Sequence, residues 1–476
     1  MGTTNAIRLS GWTALFALCF TSFWLFSKAD ANAAAATKID VSPATVIARN
    51  GLPQGVAVDF GSAPETPTGP LSAQTRKALE TAFGNFASGD WGTAQKRALR
   101  QIGKSKDPRL AWIISDAMRF VGSPQELGDL VPAMNKLLGT NLAGIEAWSD
   151  GVDHLIAWDI PAPPDYLRYK RVIYTSILPE WAPLFEPGTI DWRHVAWGGV
   201  RIDDRPFDKT DERCNCIPAA DNPEVTKAKN ASWLQDDAVV FGISLNGEHR
   251  AYPRQIMEVR EMVNDTLGGR DLGIPYCTLC GSAQAWFTDD IPAGVERPIL
   301  RTSGLLIRSN KVMYDLVTKS VFDTFLGTAV TGSLAERGIQ LKQASVITTT
   351  WGQWKKAHPD TTVLAERLAL GRNFNFRDGR DANGPIFPIG NVDPRLAVQE
   401  DVLGVLTKDG TALAFHLPSV IAALSAEEVV KVGDVQVVLE AGGGRAIDGE
   451  GTDLGTHQAF WFAWSQFHPE TQLWPQ

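Results

Sequence analysis

The chain reads as α+β, with a helical N-terminal domain followed by a β-rich domain built from two similar halves. Three observations predict this. Apolar residues recur at helical spacing between Leu71 and Leu138. From about residue 236 the texture changes to β-branched runs separated by Asn-Gly and Gly-Gly turns. The order of those runs then comes round a second time after Val402. A chain of 476 residues suggests two or three folding units, at about 150 residues each. Its formal net charge is -9, with acidic and basic residues interspersed. No basic stripe is offered to a phosphate backbone, so nucleic acid is not an expected partner.

Residues 1–33 have the three-part layout of a Sec-type signal peptide: Arg8, the apolar run Trp12 to Phe26, then small residues around Ala29, Ala31 and Ala33. The expectation is a periplasmic or secreted mature protein. The run is shorter than the roughly 20 residues a membrane span needs, and only an uncleaved N-terminal anchor would bring in a membrane. Cys19 lies within the run and leaves with it; Leu18 before it is not the small residue a lipoprotein signal wants.

Residues 34–70, rich in Ala, Pro, Gly and Thr, read as a flexible linker. Residues 71–140 read as a bundle of antiparallel helices, with Asp90, Asp107 and Ser123 as N-cap candidates at the breaks. Residues 141–200 mix tryptophan and proline, and proline forbids one long helix there. This stretch reads as a packed connection. Residues 201–476 form the duplicated β-rich domain. In its first copy Ala238–Leu245, the Asn246-Gly247 turn and Glu248–Tyr252 predict a hairpin. A short helix from Arg254 to Val263 follows, then a turn at Gly268-Gly269 and a strand ending at Tyr276-Cys277. In the second copy Val402–Leu406, Thr411–Phe415 and Val435–Leu439 repeat the order, with a turn at Gly442-Gly443-Gly444.

Four cysteines remain after the signal, as Cys214-x-Cys216 and Cys277-x-x-Cys280 followed by Gly281. The second copy carries glycines where the first carries its cysteine turn, so the fold does not require those thiols. In an exported chain paired thiols close as disulfides. Against that stand two chemical readings, a metal centre and a working redox dithiol. A Cys-x-x-Cys-Gly turn suits metal because turn amides can point at the sulfurs and glycine supplies a positive φ after the second ligand. Zinc and copper(I) both accept thiolates, and Cys214 and Cys216 would complete a set of four ligands with Cys277 and Cys280. Cys-x-Cys is a poorer chelate for zinc than Cys-x-x-Cys and suits copper better. A thioredoxin-like dithiol would need a helix after its first cysteine, and the short run Ser282–Phe287 does not offer one.

Polar residues near the cysteine strand, namely Arg260, Glu261, Asn264 and Asp265 with Tyr276, Gly281, Tyr314 and Asp315, are candidates for a pocket around it. Glu261 and Asp265 would share a helix face if the helix ran that far. The competing reading has these groups closing turns with hydrogen bonds. Seven histidines are scattered with no His-x-x-x-His pair, and there is no Gly-x-Ser-x-Gly elbow or phosphate loop. No reaction class is selected. Met313 is a possible soft ligand but reads as core. Sixteen tryptophans could furnish sugar platforms, although most sit in apolar runs such as Phe460–Trp464.

Several of these stretches together resemble one bacterial and archaeal family. They are Asp236–Tyr252, Val263–Gly269, Tyr276–Gly281, Ser303–Leu306, Met313–Asp315, Thr350-Trp351 with Trp354 and His358-Pro359, and Phe460–Trp464 with Phe467-His468-Pro469. Over roughly residues 197–476 the chain resembles the domain of unknown function 3179, a family whose name implies no activity. Where related chains read His-Glu, this one has Arg260-Glu261; where they read Asp-Gly-Ile-Pro, it has Asn215-Cys216-Ile217-Pro218. The resemblance therefore implies that the Cys214/Cys216 couple belongs to this branch.

Three function classes follow. The first is an exported protein whose dithiolate centre binds copper or zinc or does thiol redox chemistry. The second is a non-catalytic envelope protein, fastened by disulfides, whose helical domain docks an envelope partner. The third is a polysaccharide binder.

Overall fold

The computed structural model describes residues 46–47, 52–86, 91–121, 124–209, 214–366 and 385–475. The signal segment 1–33, most of the first half of the linker, and the cap candidates Asp90 and Ser123 lie outside the described residues. Among the described residues no helix is long and apolar enough to cross a membrane.

Among the described residues, six α-helices follow the short strand pair Val46–Ile47/Pro53–Gln54: Ala73–Phe83, Thr93–Lys104, Ala111–Met118, Pro124–Leu138, Ala147–Ala157 and Tyr166–Ile177. The last two occupy the stretch read as a connection, broken apart at the proline cluster 161–164. Leu79, Phe83, Ile102, Trp112, Ile113 and Tyr174 interlock in the bundle core. The same core takes in Trp197, Leu305 and Val312 of a sheet, so the helices pack directly onto the β-rich part. Lys170, fully buried, pins this junction by donating to Asp116 at 2.5 Å and to the Val195 carbonyl at 2.6 Å. The described part of the linker is likewise held down: Leu52 is buried, the Gly55 N–H donates to the Pro394 carbonyl, and Trp158 Nε1 donates to the Gly61 carbonyl.

The β-rich part is five sheets in a propeller-like succession. The first sheet runs, in spatial order, Ile347–Thr350, Val239–Leu245, Glu248–Pro253, Thr362–Leu364 and Val225–Lys227. The second is built on Met262–Leu267 and Arg270–Cys277, the third on Leu300–Ile307 and Asn310–Asp315. The fourth is His457–Phe460, Asp401–Leu406, Ala412–His416 and Gln472–Trp474, and the fifth joins Val430–Val432, Val435–Glu440 and Gly443–Ile447. The first hairpin turns at Asn246-Gly247, both at positive φ, as a two-residue hairpin loop requires. The helix after it stops at Arg260 because Glu261 takes a left-handed conformation, φ 49°. Glu261 and Asp265 therefore share no helix face, since Asp265 lies on the following strand. The expected triple-glycine turn is made by Ala441 and Gly442, while Gly443 and Gly444 belong to a strand. A Cβ on Gly443 would meet Ile347 and Thr348 at 2.6 Å, which is why that strand can lie against the first sheet.

The first and fourth sheets share one plan. In each, an antiparallel strand leads into a short helix carrying a tryptophan, and the strand after that helix adds in parallel on the far side. Trp354 Nε1 donates to Thr361 Oγ1 and Trp464 Nε1 to Thr471 Oγ1, both at 2.9 Å. Each indole lies flat on a glycine. A Cβ on Gly242 would stand 2.2 Å from the Trp354 ring, and one on Gly404 2.1 Å from the Trp464 ring. Gly242→Ala or Gly404→Ala must displace a fully packed indole, and overpacking of this kind costs ~1–3 kcal/mol. Denaturant unfolding of either variant should show a lowered midpoint; an unchanged midpoint would contradict this packing.

Candidate functional site

The four cysteines form two short-range disulfides, Cys214–Cys216 and Cys277–Cys280. The expected four-sulfur site is not assembled: among the described residues, no group of three ligand atoms within 4.8 Å of one another includes Cys277 or Cys280. One group does meet that distance, Asp203 with Cys214 and Cys216, and it could hold a metal.

Cys277 and Cys280 close the turn at the end of the second sheet and are 3% and 1% exposed. They pack with Leu52, Phe325, Phe460 and Trp464. The Cys280 carbonyl accepts from the Phe460 N–H at 2.9 Å, which joins the turn to the fourth sheet. Gly281 is held at φ 61°, and a Cβ there would touch the Phe460 ring at 3.0 Å. Glycine is therefore needed both for the turn and for this seam. Ser282, paired across the strand with Cys277, is fully buried and its hydroxyl has no partner among the described residues; the same holds for both amide atoms of Gln284 on the same face. His457, in the strand against this turn, is pushed down to about 3 by burial and by His468, so it is neutral at physiological pH.

The Cys214–Cys216 couple is differently placed. Cys214 is partly exposed, Asn215 is exposed and Cys216 is buried. The loop is bridged to Arg201, whose N–H donates to the Asn215 carbonyl. Asp203, two residues beyond Arg201, is completely buried and held by several donors. Arg205 Nε and Nη2 reach its two oxygens at 2.6 and 2.7 Å, and the Ala219 N–H donates at 2.8 Å. Arg301, 0% exposed, reaches Asp203 at 3.9 Å and grips Asp221 with two nitrogens at 2.8 and 2.5 Å. A chain of buried charges thus runs from the cysteine loop into the third and second sheets.

The predicted pocket residues are all interior and committed to this and neighbouring contacts. Asn264 Nδ2 donates to Asp221 at 2.8 Å and its oxygen accepts from the Leu300 N–H. Arg260 pairs with Glu366 at 2.5 Å, and Glu261 with Lys311 at 2.6 Å while accepting from Thr278. Asp265 holds Arg250 and Tyr252. Tyr276 packs in the core between the first and second sheets, Tyr314 donates to the Asp203 carbonyl, and Asp315 closes the 315–320 turn. Met313 is core, as read. Of the tryptophans among the described residues, Trp233 alone is exposed, at 44%.

Asp203, Arg205, Asp221 and Arg301 were not read from the sequence. A signal for the first pair was available. Among the described residues Asp-x-Arg occurs as Asp107-Arg109, Asp191-Arg193, Asp203-Arg205 and Asp393-Arg395, and each time the arginine folds back on the aspartate. A terminal nitrogen of each then also donates to a carbonyl outside the pair, at Gly69, Ile160, Ala219 and Thr471 in turn. Arg301 has no such local signature. Removing it takes from the buried Asp221 the guanidinium that grips both its oxygens, so Arg301→Met should lower stability by ~3–5 kcal/mol in chemical denaturation. A change below about 1 kcal/mol, the range of an exposed ion pair, would contradict the buried network.

No curated protein and no solved structure matches the chain. A family model described as "Protein of unknown function (DUF3179)" matches residues 214–451, half of the sequence. The matched stretch contains both cysteine couples and Arg301. The chain belongs to the DUF3179 family.

Proposed function

We propose that this is an exported, propeller-like protein whose Cys214–Cys216 couple, with Asp203, is a thiol-redox and soft-metal centre, while Cys277–Cys280 is a structural clamp. The observation that carries this reading is the difference in surroundings. Exposed disulfides are the labile ones, whereas thiols sealed in apolar surroundings are inert. Cys214 is within reach of solvent, and a carboxylate lies within 4.8 Å of both sulfurs of its couple. Cys277 and Cys280 are sealed under aromatic rings.

Opening the couple takes two electrons and two protons. An external dithiol supplies both and itself closes to a disulfide. The freed couple then offers two thiolates, a set that favours copper(I), with the Asp203 oxygen as a harder neighbour that zinc also accepts. Asp203 keeps its position in either state because Arg205 and the Ala219 N–H hold it from behind. Export is supported by the layout of residues 1–33 and by the closed state of both couples, which suits an oxidising compartment. The rival class, an envelope interaction protein, draws on the sealed clamp alone and gives the Cys214 loop no role.

The test is metal content after anaerobic reduction with a phosphine and addition of copper(I) or zinc. Wild type and the Cys277→Ser/Cys280→Ser variant should hold stoichiometric metal, and Cys214→Ser/Cys216→Ser should hold none. The clamp variant should instead lose about 2 kcal/mol of stability, the chain-entropy value for so short a loop. Full metal content in the Cys214/Cys216 variant would overturn the assignment.

A further inference from the structure

A second cluster, with no cysteine in it, sits at a strand-to-helix corner of the fourth sheet. There the strand Ala412–His416 runs directly into the helix Leu417–Ser425. His416 Nδ1 is 2.7 Å from Ser419 Oγ, and His416 Nε2 is 3.0 Å from Glu400 Oε1. With a neutral imidazole the hydrogens have one arrangement. A carboxylate only accepts, so Nε2 carries the ring proton; Nδ1 then offers its lone pair, and the Ser419 hydroxyl donates to it. A hydroxyl, a base and a carboxylate that orients the base therefore stand in series. A second serine–histidine contact lacks that order: Ser244 lies 2.8 Å from His249 but itself donates to Glu440.

The architecture does not ask for these three residues. The first sheet follows the same plan, and its register sets Pro253 opposite Val240 where the fourth sets His416 opposite Val402. Glu400 corresponds to Ala238, since the carbonyl of each accepts from the tryptophan N–H that opens the next short helix. Ser419, third in its helix, corresponds to the buried Ile256. The twin corner is thus apolar at all three positions.

The corner is also placed for chemistry. His416 is 4% exposed, which holds its ring, whereas Ser419 is partly exposed and Pro418 beside it is exposed. The opening N–H groups of the helix, on Leu417 and Ser419, lack a partner one turn back, and the His416 side chain does not cap them. Such N–H groups suit the oxygen of a tetrahedral intermediate. Ala422 and Ala423, one turn on from Ser419, keep its side of the helix small and apolar.

We propose that Ser419 is the nucleophile of an ester-hydrolysing site, with His416 as its general base, Glu400 as a positioning residue and a neutral carboxylic ester as substrate. Ser419 Oγ bonds to the ester carbonyl carbon as its proton passes to His416 Nδ1. The bond from that carbon to the alcohol oxygen breaks, and the alcohol leaves with the proton. Water then attacks the acyl group: one proton passes through Nδ1 back to Ser419 Oγ, and the carboxylic acid departs. A neutral ester follows from Leu417, Pro418, Ala422 and Ala423 around the hydroxyl, all of them apolar.

The test is labelling of the full chain by a fluorophosphonate, which forms an Oγ–P bond with loss of fluoride, read by peptide mass spectrometry beside turnover of para-nitrophenyl acetate. Wild type should be labelled at Ser419 and should turn over the ester. Ser419→Ala should keep its unfolding midpoint and lose both. His416→Gln should slow turnover by ~100-fold or more, the scale of a general base. Glu400→Gln should lower kcat and leave KM, and Glu400→Asp should restore part of the rate. If His416→Gln does not fold, Ser419→Ala decides. Wild type that is neither labelled nor active, label on other residues only, or Ser419→Ala as active as wild type would overturn the site.

Discussion

The fold turns on a guanidinium that water never reaches. Arg301 sits at the junction of the second and third sheets, and its bidentate grip on Asp221 and approach to Asp203 tie together segments otherwise distant in sequence. Burying such charges costs several kcal/mol per ion, and only a full set of partners offsets it. Most of that set is supplied by Asn264, Ala219, Arg205 and Leu300, while Arg301 Nε has no hydrogen-bond partner among the described residues. The network joins the strands of Asp221 and Arg301 and sets Asp203 beside the Cys214–Cys216 loop.

The two cysteine couples show how the same pair of thiols takes its character from its surroundings. Both are closed across two or three residues. One is covered by Phe325, Phe460 and Trp464 and hydrogen-bonded by its backbone to a neighbouring sheet. The other lies beside a buried carboxylate, with Cys214 partly exposed. Position separates a sealed couple from a partly exposed one, where spacing alone pointed the other way: Cys-x-x-Cys-Gly carries the stronger metal signature in sequence and occupies the less accessible place.

Legibility followed the range of the interactions. The hairpin 239–253 and the turn at Gly268-Gly269 could be read because Asn-Gly and Gly-Gly act on their own backbone. The end of the helix at Arg260 could not, since Glu261 is not a residue that announces a left-handed cap. The repeating order of hairpins was visible, but its outcome was five sheets, because which strands add at the edges is decided by long-range pairing such as Thr362–Leu364 with Val225–Lys227. Among the site residues, the cysteines were evident and Asp203 was recoverable from the Asp-x-Arg pattern. Arg301 was hidden, since nothing in its own neighbourhood distinguishes it from a surface arginine.

The most direct test of the division between clamp and reactive couple is stepwise reduction of the native protein with trapping of freed thiols by alkylation and mass spectrometry. The account predicts that Cys214 and Cys216 are labelled at reductant levels that leave Cys277 and Cys280 closed, and that the second couple opens only with global unfolding. Labelling of Cys277 and Cys280 first, or of all four together in the folded protein, would contradict it.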